Sequence, residues 1–154
     1  QLSKYLTNFG KVIYNSFEEG ASMSFQNTIK RNQMRDVAKK FTILDGEPLE
    51  HLTIRLNKRR SPDIIIIDSV QHSKITKDQY KNLKHKFPNK LFIYISHARG
   101  KLPKGEIADF IRYDSDLKIR AEGFRAFADG RLNESEGKYF DIYPEKSTNY
   151  WNEL

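Results

Sequence analysis

Four short apolar runs punctuate the N-terminal two thirds of the chain: "KVIYNS" (11–16), "FTILD" (41–45), "DIIIIDSV" (63–70) and "LFIYISH" (91–97). Each is rich in β-branched or aromatic residues and bounded by turn formers, which predicts four strands. Between them the apolar positions change to helical spacing. Leu49, Leu52 and Leu56 share one face of residues 47–60. Tyr80, Leu83 and Phe87 share one face of residues 76–87, with Thr76 placed as a cap and Pro88 just beyond the end. Residues 22–40 predict a further, less regular helix. Strands alternating with helices predict βαβ units and a mostly parallel α/β sheet with flanking helices. The unbroken "IIII" predicts a strand covered on both faces.

After Gly105 the pattern shifts. "EIADFIRY" predicts a short helix. "LKIRAE", "FRAFAD" and "KYFDIYP" then read as short strands separated by "EG" and "GRLNESEG", and such tight turns favour antiparallel hairpins at one end of the sheet. The final "STNYWNEL" reads either as a tail or as a segment that docks Trp151. With no internal repeat and no linker, residues 1–154 read as a single domain.

Composition narrows the class. No apolar run approaches the length of a membrane span and the start shows no signal-peptide pattern, so no membrane partner is expected. The chain has no cysteine, which excludes disulfides and thiolate metal sites and fits a cytoplasmic protein. Net charge is +7, and its distribution is uneven. From Gln79 to Gly105 there is no acid but seven cations: Lys81, Lys84, Lys86, Lys90, Arg99, Lys101 and Lys104. That segment accounts for the whole excess. It points to a polyanion such as nucleic acid, or, for Lys81 to Lys90, to a solvated helix face.

Candidate chemistry gathers at the strand ends. In open parallel sheets, ligands bind beyond the carboxyl ends of the strands. Asp68 is the first polar residue after the isoleucine run; Glu18 and Glu19 follow the first strand, His97 ends the fourth, and Ser69 and Gln71 follow Asp68. A carboxylate on that edge is suited to hold Mg²⁺ and a second to orient a water. His51, His72 and His85 show no metal-ligand spacing. Ser69 beside Asp68, or Ser96 beside His97, raises a hydrolase reading, but neither lies in a GxSxG elbow and no third orienting group is evident.

The order and spacing of "KVIYNSFEEG", "SPDIIIIDSVQ" and "LFIYISHARG" resemble the RecA-like P-loop ATPases, in particular the RadA and DnaB-type branch, over nearly the whole chain from Gly10 to Tyr143. The resemblance implies that Asp68 is the Walker B aspartate assisting Mg²⁺ and that Glu18, rather than Glu19, polarises the attacking water. It also implies that His97 senses the γ-phosphate, with Ser69 and Gln71 adjacent to the nucleotide. "RGKLPKG" (99–105) falls where the family has a mobile DNA-binding loop, which makes Arg99, Lys101 and Lys104 contacts to DNA, single-stranded in this reading. "HSKIT" (72–76) falls where the family's other loop lies. Arg131 matches the arginine that reaches a neighbouring subunit's nucleotide, as in a homo-oligomeric ring or filament, although Asp129 stands where the family often has lysine.

The largest departure is that neither GxxxxGKS nor GxxxxGKT occurs, although the family's phosphates are cradled by that loop. "QLSKYLTNFGKVIY" resembles the end of the helix that follows it. The expectation is a RecA-like ATPase domain lacking its P-loop strand and loop, part of a protein coupling Mg-ATP hydrolysis to DNA repair, recombination or helicase work, and inactive alone. The alternative is a non-catalytic nucleic-acid-binding or scaffold domain with a decayed nucleotide site.

Overall fold

Val12–Ser16 (β1), Phe41–Asp45 (β2), Ile64–Asp68 (β3) and Leu91–Ile95 (β4) form one four-stranded sheet, all parallel, in the order β2-β1-β3-β4. The coordinates are a computed structural model that describes residues 1–20, 22–132 and 139–152. The chain divides into two compact units, residues 1–109 and 110–154.

In the first unit β3 is central. Ile64, Ile65, Ile66 and Ile67 are all buried, as the unbroken run predicts. Full burial of four such side chains stabilises the unit by about 6–12 kcal/mol before entropic costs. Alternate residues face opposite layers. On one face Leu6 of α1 (Leu2–Leu6) packs with Val12, Ile64 and Ile66, and with the half-buried Tyr14, Phe41 and Ile93. Phe25 of α2 (Met23–Arg31) lies 5.6 Å from the Tyr14 ring on that same face. The other face takes α3 (Leu49–Leu56), which buries the three predicted leucines, and α5 (Lys77–Lys86). Tyr80 of α5 meets Tyr94 at 5.3 Å and Phe87 meets Phe92 at 6.5 Å. Thr76 caps α5 with Gln79 as its reciprocal partner, so the predicted start is correct to the residue. A single turn, α4 (Val70–Ser73), links β3 to α5.

Residues 22–40 do not form one helix. Asn32 closes α2 through Nδ2–H donation to the Thr28 carbonyl (2.8 Å), Gln33 is left-handed at φ 52°, and only a 3₁₀ turn, Met34–Val37, follows. β4 ends at Ile95, two residues short of the predicted end. Beyond it Ala98–Arg99 (β5) and Leu102–Pro103 (β6) pair antiparallel around a turn at Gly100, where φ is 63°. The segment expected as a mobile loop (99–105) thus carries most of a closed two-stranded ribbon.

Glu106–Asp114 (α6) carries the chain into the second unit. There Leu117–Glu122 (β7), Arg125–Gly130 (β8) and Tyr139–Asp141 (β9) pair antiparallel in that order, as predicted, but as a sheet of their own rather than at one end of the parallel sheet. Pro144–Asn152 (α7) follows, and Trp151 docks by donating its Nε1–H to the Gly123 carbonyl at 3.0 Å. Residues 133–137 of the predicted "GRLNESEG" turn, and Lys138 after it, lie outside the described residues. No helix among the described residues is long and apolar enough to cross a membrane.

Candidate functional site

The parallel register places Ser16, Asp45, Asp68 and Ile95 in one row at the carboxyl ends of β1, β2, β3 and β4. The candidate residues sit on that row or just past it. Two contacts fix the exit of β1. The Phe17 amide donates to the Asp68 carbonyl at 2.5 Å, and the Gly20 amide donates to Ser16 Oγ at 3.2 Å. Gly20 adopts φ +51°, and a Cβ there would stand 2.6 Å from Asp45 Oδ1, so a larger residue would open this turn. Between these pins Glu18 projects over the edge.

Glu18 and His97 meet, His97 Nε2 lying 2.7 Å from Glu18 Oε2. The same oxygen is 3.5 Å from Nδ1 of His72. The hydrogen bond from His97 is the main cause that holds the Glu18 carboxyl below the ordinary carboxylate range, with both imidazoles and the Ser69 hydroxyl adding to it. His72 was not marked by sequence spacing. Its position four residues after Asp68, on the same sheet edge, is the signal that would have found it.

Asp68 is half-buried and accepts a hydrogen bond at Oδ2 from the Tyr14 hydroxyl. Tyr14 lies one alternation before Ser16 on the strand beside β3, so its side chain shares the face of Asp68. Burial, and then the bond to Asp68, push the Tyr14 hydroxyl well above the usual phenol range, so it stays a donor. The Asp68–Ser69 peptide bond is cis. Ser69 is fully buried, and its Oγ lies 2.9 Å from His72 Nδ1. Ser69, His72 and Glu18 are not a nucleophilic triad. Serine and carboxylate approach the same ring nitrogen, whereas proton relay requires opposite nitrogens.

Gln71 is a bridge. Its Oε1 accepts from the His97 amide (3.2 Å), while its Nε2 donates to Ser96 Oγ (2.8 Å) and to the Lys104 carbonyl (2.5 Å). The Lys104 amide in turn donates to the His97 carbonyl at 2.8 Å. The basic ribbon is therefore bonded directly to the segment that carries His97. Arg99, Lys101 and Lys104 are exposed on it. Arg99 and Lys104 share a shallow depression with Glu106 and Asp109, where Glu106 is paired to Lys77 at 2.5 Å. Lys90, counted above among the seven cations, is half-buried: its ammonium donates to Ser61 Oγ (2.9 Å) and the Pro62 carbonyl (2.6 Å). Arg131 belongs to the second unit and lies 3.6 Å from Asp116 there.

The edge thus offers an acid pinned by a phenol, a carboxylate bonded to an imidazole, and a basic ribbon tied to the His97 segment through one glutamine. No protein-family model matches the chain, and no curated protein matches it significantly.

Proposed function

We propose that residues 1–109 form part of a RecA-like ATPase site in which Asp68 assists Mg²⁺, Glu18 orients the attacking water and His97 reads the γ-phosphate. The observation that carries this reading is the strand order. In that family the P-loop strand lies beside the strand equivalent to β4, and no strand is hydrogen-bonded to the outer edge of β4 among the described residues. The same order brings Glu18 and His97 into contact. Asp68 suits a hard cation because it offers carboxylate oxygens at a strand end. The phosphates lack their cradle in these 154 residues, so polypeptide beyond them supplies it in this reading. Bound Mg-ATP contributes the electrophile and the charge neutralisation of phosphoryl transfer. Glu18, acceptor of the His97 bond, holds the water; His97, bonded to Gln71 through its amide, passes its position to the ribbon of Arg99, Lys101 and Lys104, which contacts single-stranded DNA. Arg131 would complete a neighbouring site in a homo-oligomer.

The test uses the full-length polypeptide that contains these residues. Glu18→Gln should retain ATP binding and abolish hydrolysis, while Glu19→Gln should retain both. If hydrolysis survives Glu18→Gln and is lost in Glu19→Gln, the base is Glu19. If neither matters and no ATP binds, the ATPase reading fails and the domain is a non-catalytic nucleic-acid or scaffold module. Robust Mg²⁺-dependent hydrolysis by the 154 residues alone, lost in Asp68→Ala, would overturn the claim that the cradle lies elsewhere.

A further inference from the structure

We propose that Glu18, His72 and His97 form a binding site for a borderline-soft divalent ion of the Zn²⁺ type. The three side chains arrive from three separate strand exits. One carboxylate oxygen, Glu18 Oε2, is approached by both rings, at 2.7 Å from His97 Nε2 and 3.5 Å from His72 Nδ1. One ligand atom from each residue can be chosen so that all lie within 4.8 Å of one another. Tetrahedral zinc with bonds of about 2.0–2.1 Å separates its ligand atoms by about 3.3 Å, inside the observed spread. The imidazole rings are 5.7 Å apart and inclined by 60°, so neither stacks on the other and both present edges to the same space.

The chemistry selects the ion. Two imidazoles and one carboxylate suit zinc, nickel, copper or iron, whereas Mg²⁺ and Ca²⁺ prefer all-oxygen sets. All three side chains are more than a third exposed, which leaves a coordination position open to water and lets the rotamers close on the ion. Ser69 supplies outer support. Its buried hydroxyl lies 2.9 Å from His72 Nδ1 and holds that ring at the site until an ion takes the nitrogen. The hydrogen bond between Glu18 and His97 alone explains two members of the cluster. The Ser69 hydroxyl holds the second imidazole, and an ion would join both rings to the one carboxylate oxygen that they share.

Glu18 and His97 also serve the proposed nucleotide site, but the three-residue geometry does not rest on that reading, and its readout contains no nucleotide. The full chain is titrated with Co²⁺ and the visible d–d absorption recorded, followed by displacement with Zn²⁺. The expected result is one Co²⁺ per chain, displaced by Zn²⁺. Affinity should fall about tenfold or more in each of His72→Ala, His97→Ala and Glu18→Gln, and stay unchanged in His51→Ala and His85→Ala. Circular dichroism of each variant checks that the fold is intact. Absence of the band, or an affinity in His72→Ala or His97→Ala equal to that of the unsubstituted chain, overturns the proposal and leaves the ATPase reading standing; loss of ATP binding in the full-length polypeptide does the reverse.

Discussion

Replacing Tyr14 with Phe removes one oxygen from the face of the sheet and nothing else. The hydroxyl donates to Asp68 Oδ2, so the change deletes a hydrogen bond to a charged acceptor. Such bonds contribute about 1.5–3 kcal/mol. Asp68 is half-buried rather than buried, so water partly replaces the lost donor, and the expected destabilisation is at the low end, about 1–2 kcal/mol. The ring itself stays packed against Phe25 and the Leu6 cluster. Urea unfolding of the wild type, Tyr14→Phe, Asp68→Asn and the double variant closes a cycle that isolates the pair. A coupling of about 1–2 kcal/mol is expected. A coupling below about 0.5 kcal/mol would show that the bond does not hold Asp68, and the claim that Tyr14 orients this acid would fall.

Three further outcomes are expected. Asn15, fully buried, exchanges two hydrogen bonds with the backbone of Glu47, at 2.8 and 2.9 Å; Asn15→Leu leaves both backbone groups unpaired and should cost about 2–5 kcal/mol in urea unfolding. Glu18 should titrate by carboxyl NMR below the ordinary glutamate range, because His97 bonds the charged form; the contact adds stability above the ordinary carboxylate pKa and loses it as pH falls through the lowered value, and His97→Ala should move the titration upward. For the assembled protein on single-stranded DNA, substituting Arg99, Lys101 and Lys104 together with Ala should reduce the log–log salt slope by about 2, with a smaller change from Lys81, Lys84 and Lys86; an unchanged slope would make the ribbon solvated surface only.

The four parallel strands were legible because each is a dense β-prone run, and "IIII" announced its own burial. α5 was legible to its first residue because Thr76 and Gln79 form a local capping box that needs no tertiary partner. What failed depends on contacts distant in sequence or on very short elements. The break after α2 rests on the left-handed Gln33, a residue with no preference for that conformation. The ribbon at 98–103 has two residues per strand, too few for alternation to register. α7 was unread because its apolar residues are sparse, and it is held by tertiary bonds such as Ser147 Oγ to Asp141 (2.5 Å). At the site, the carboxyl-edge rule placed Glu18, Asp68 and His97 together in advance, whereas Tyr14, His72 and the bridging role of Gln71 emerge only once β1, β3 and β4 are aligned.

Lys90 bears on how the protein behaves in concentrated solution. Sheet margins are commonly kept apart by a lysine whose charge repels an incoming copy. Lys90 stands at the entrance to β4, but its ammonium is folded back onto Ser61 and Pro62. The strand itself, "LFIYI", carries no charge, and Leu91 and Ile95 are exposed. An uncharged, β-prone segment whose outer edge is unpaired among the described residues is a template for strand addition. Preparations of this chain should therefore turn turbid as concentration rises, and a charged residue in place of exposed Leu91 or Ile95 should delay that onset without altering the monomer's circular dichroism.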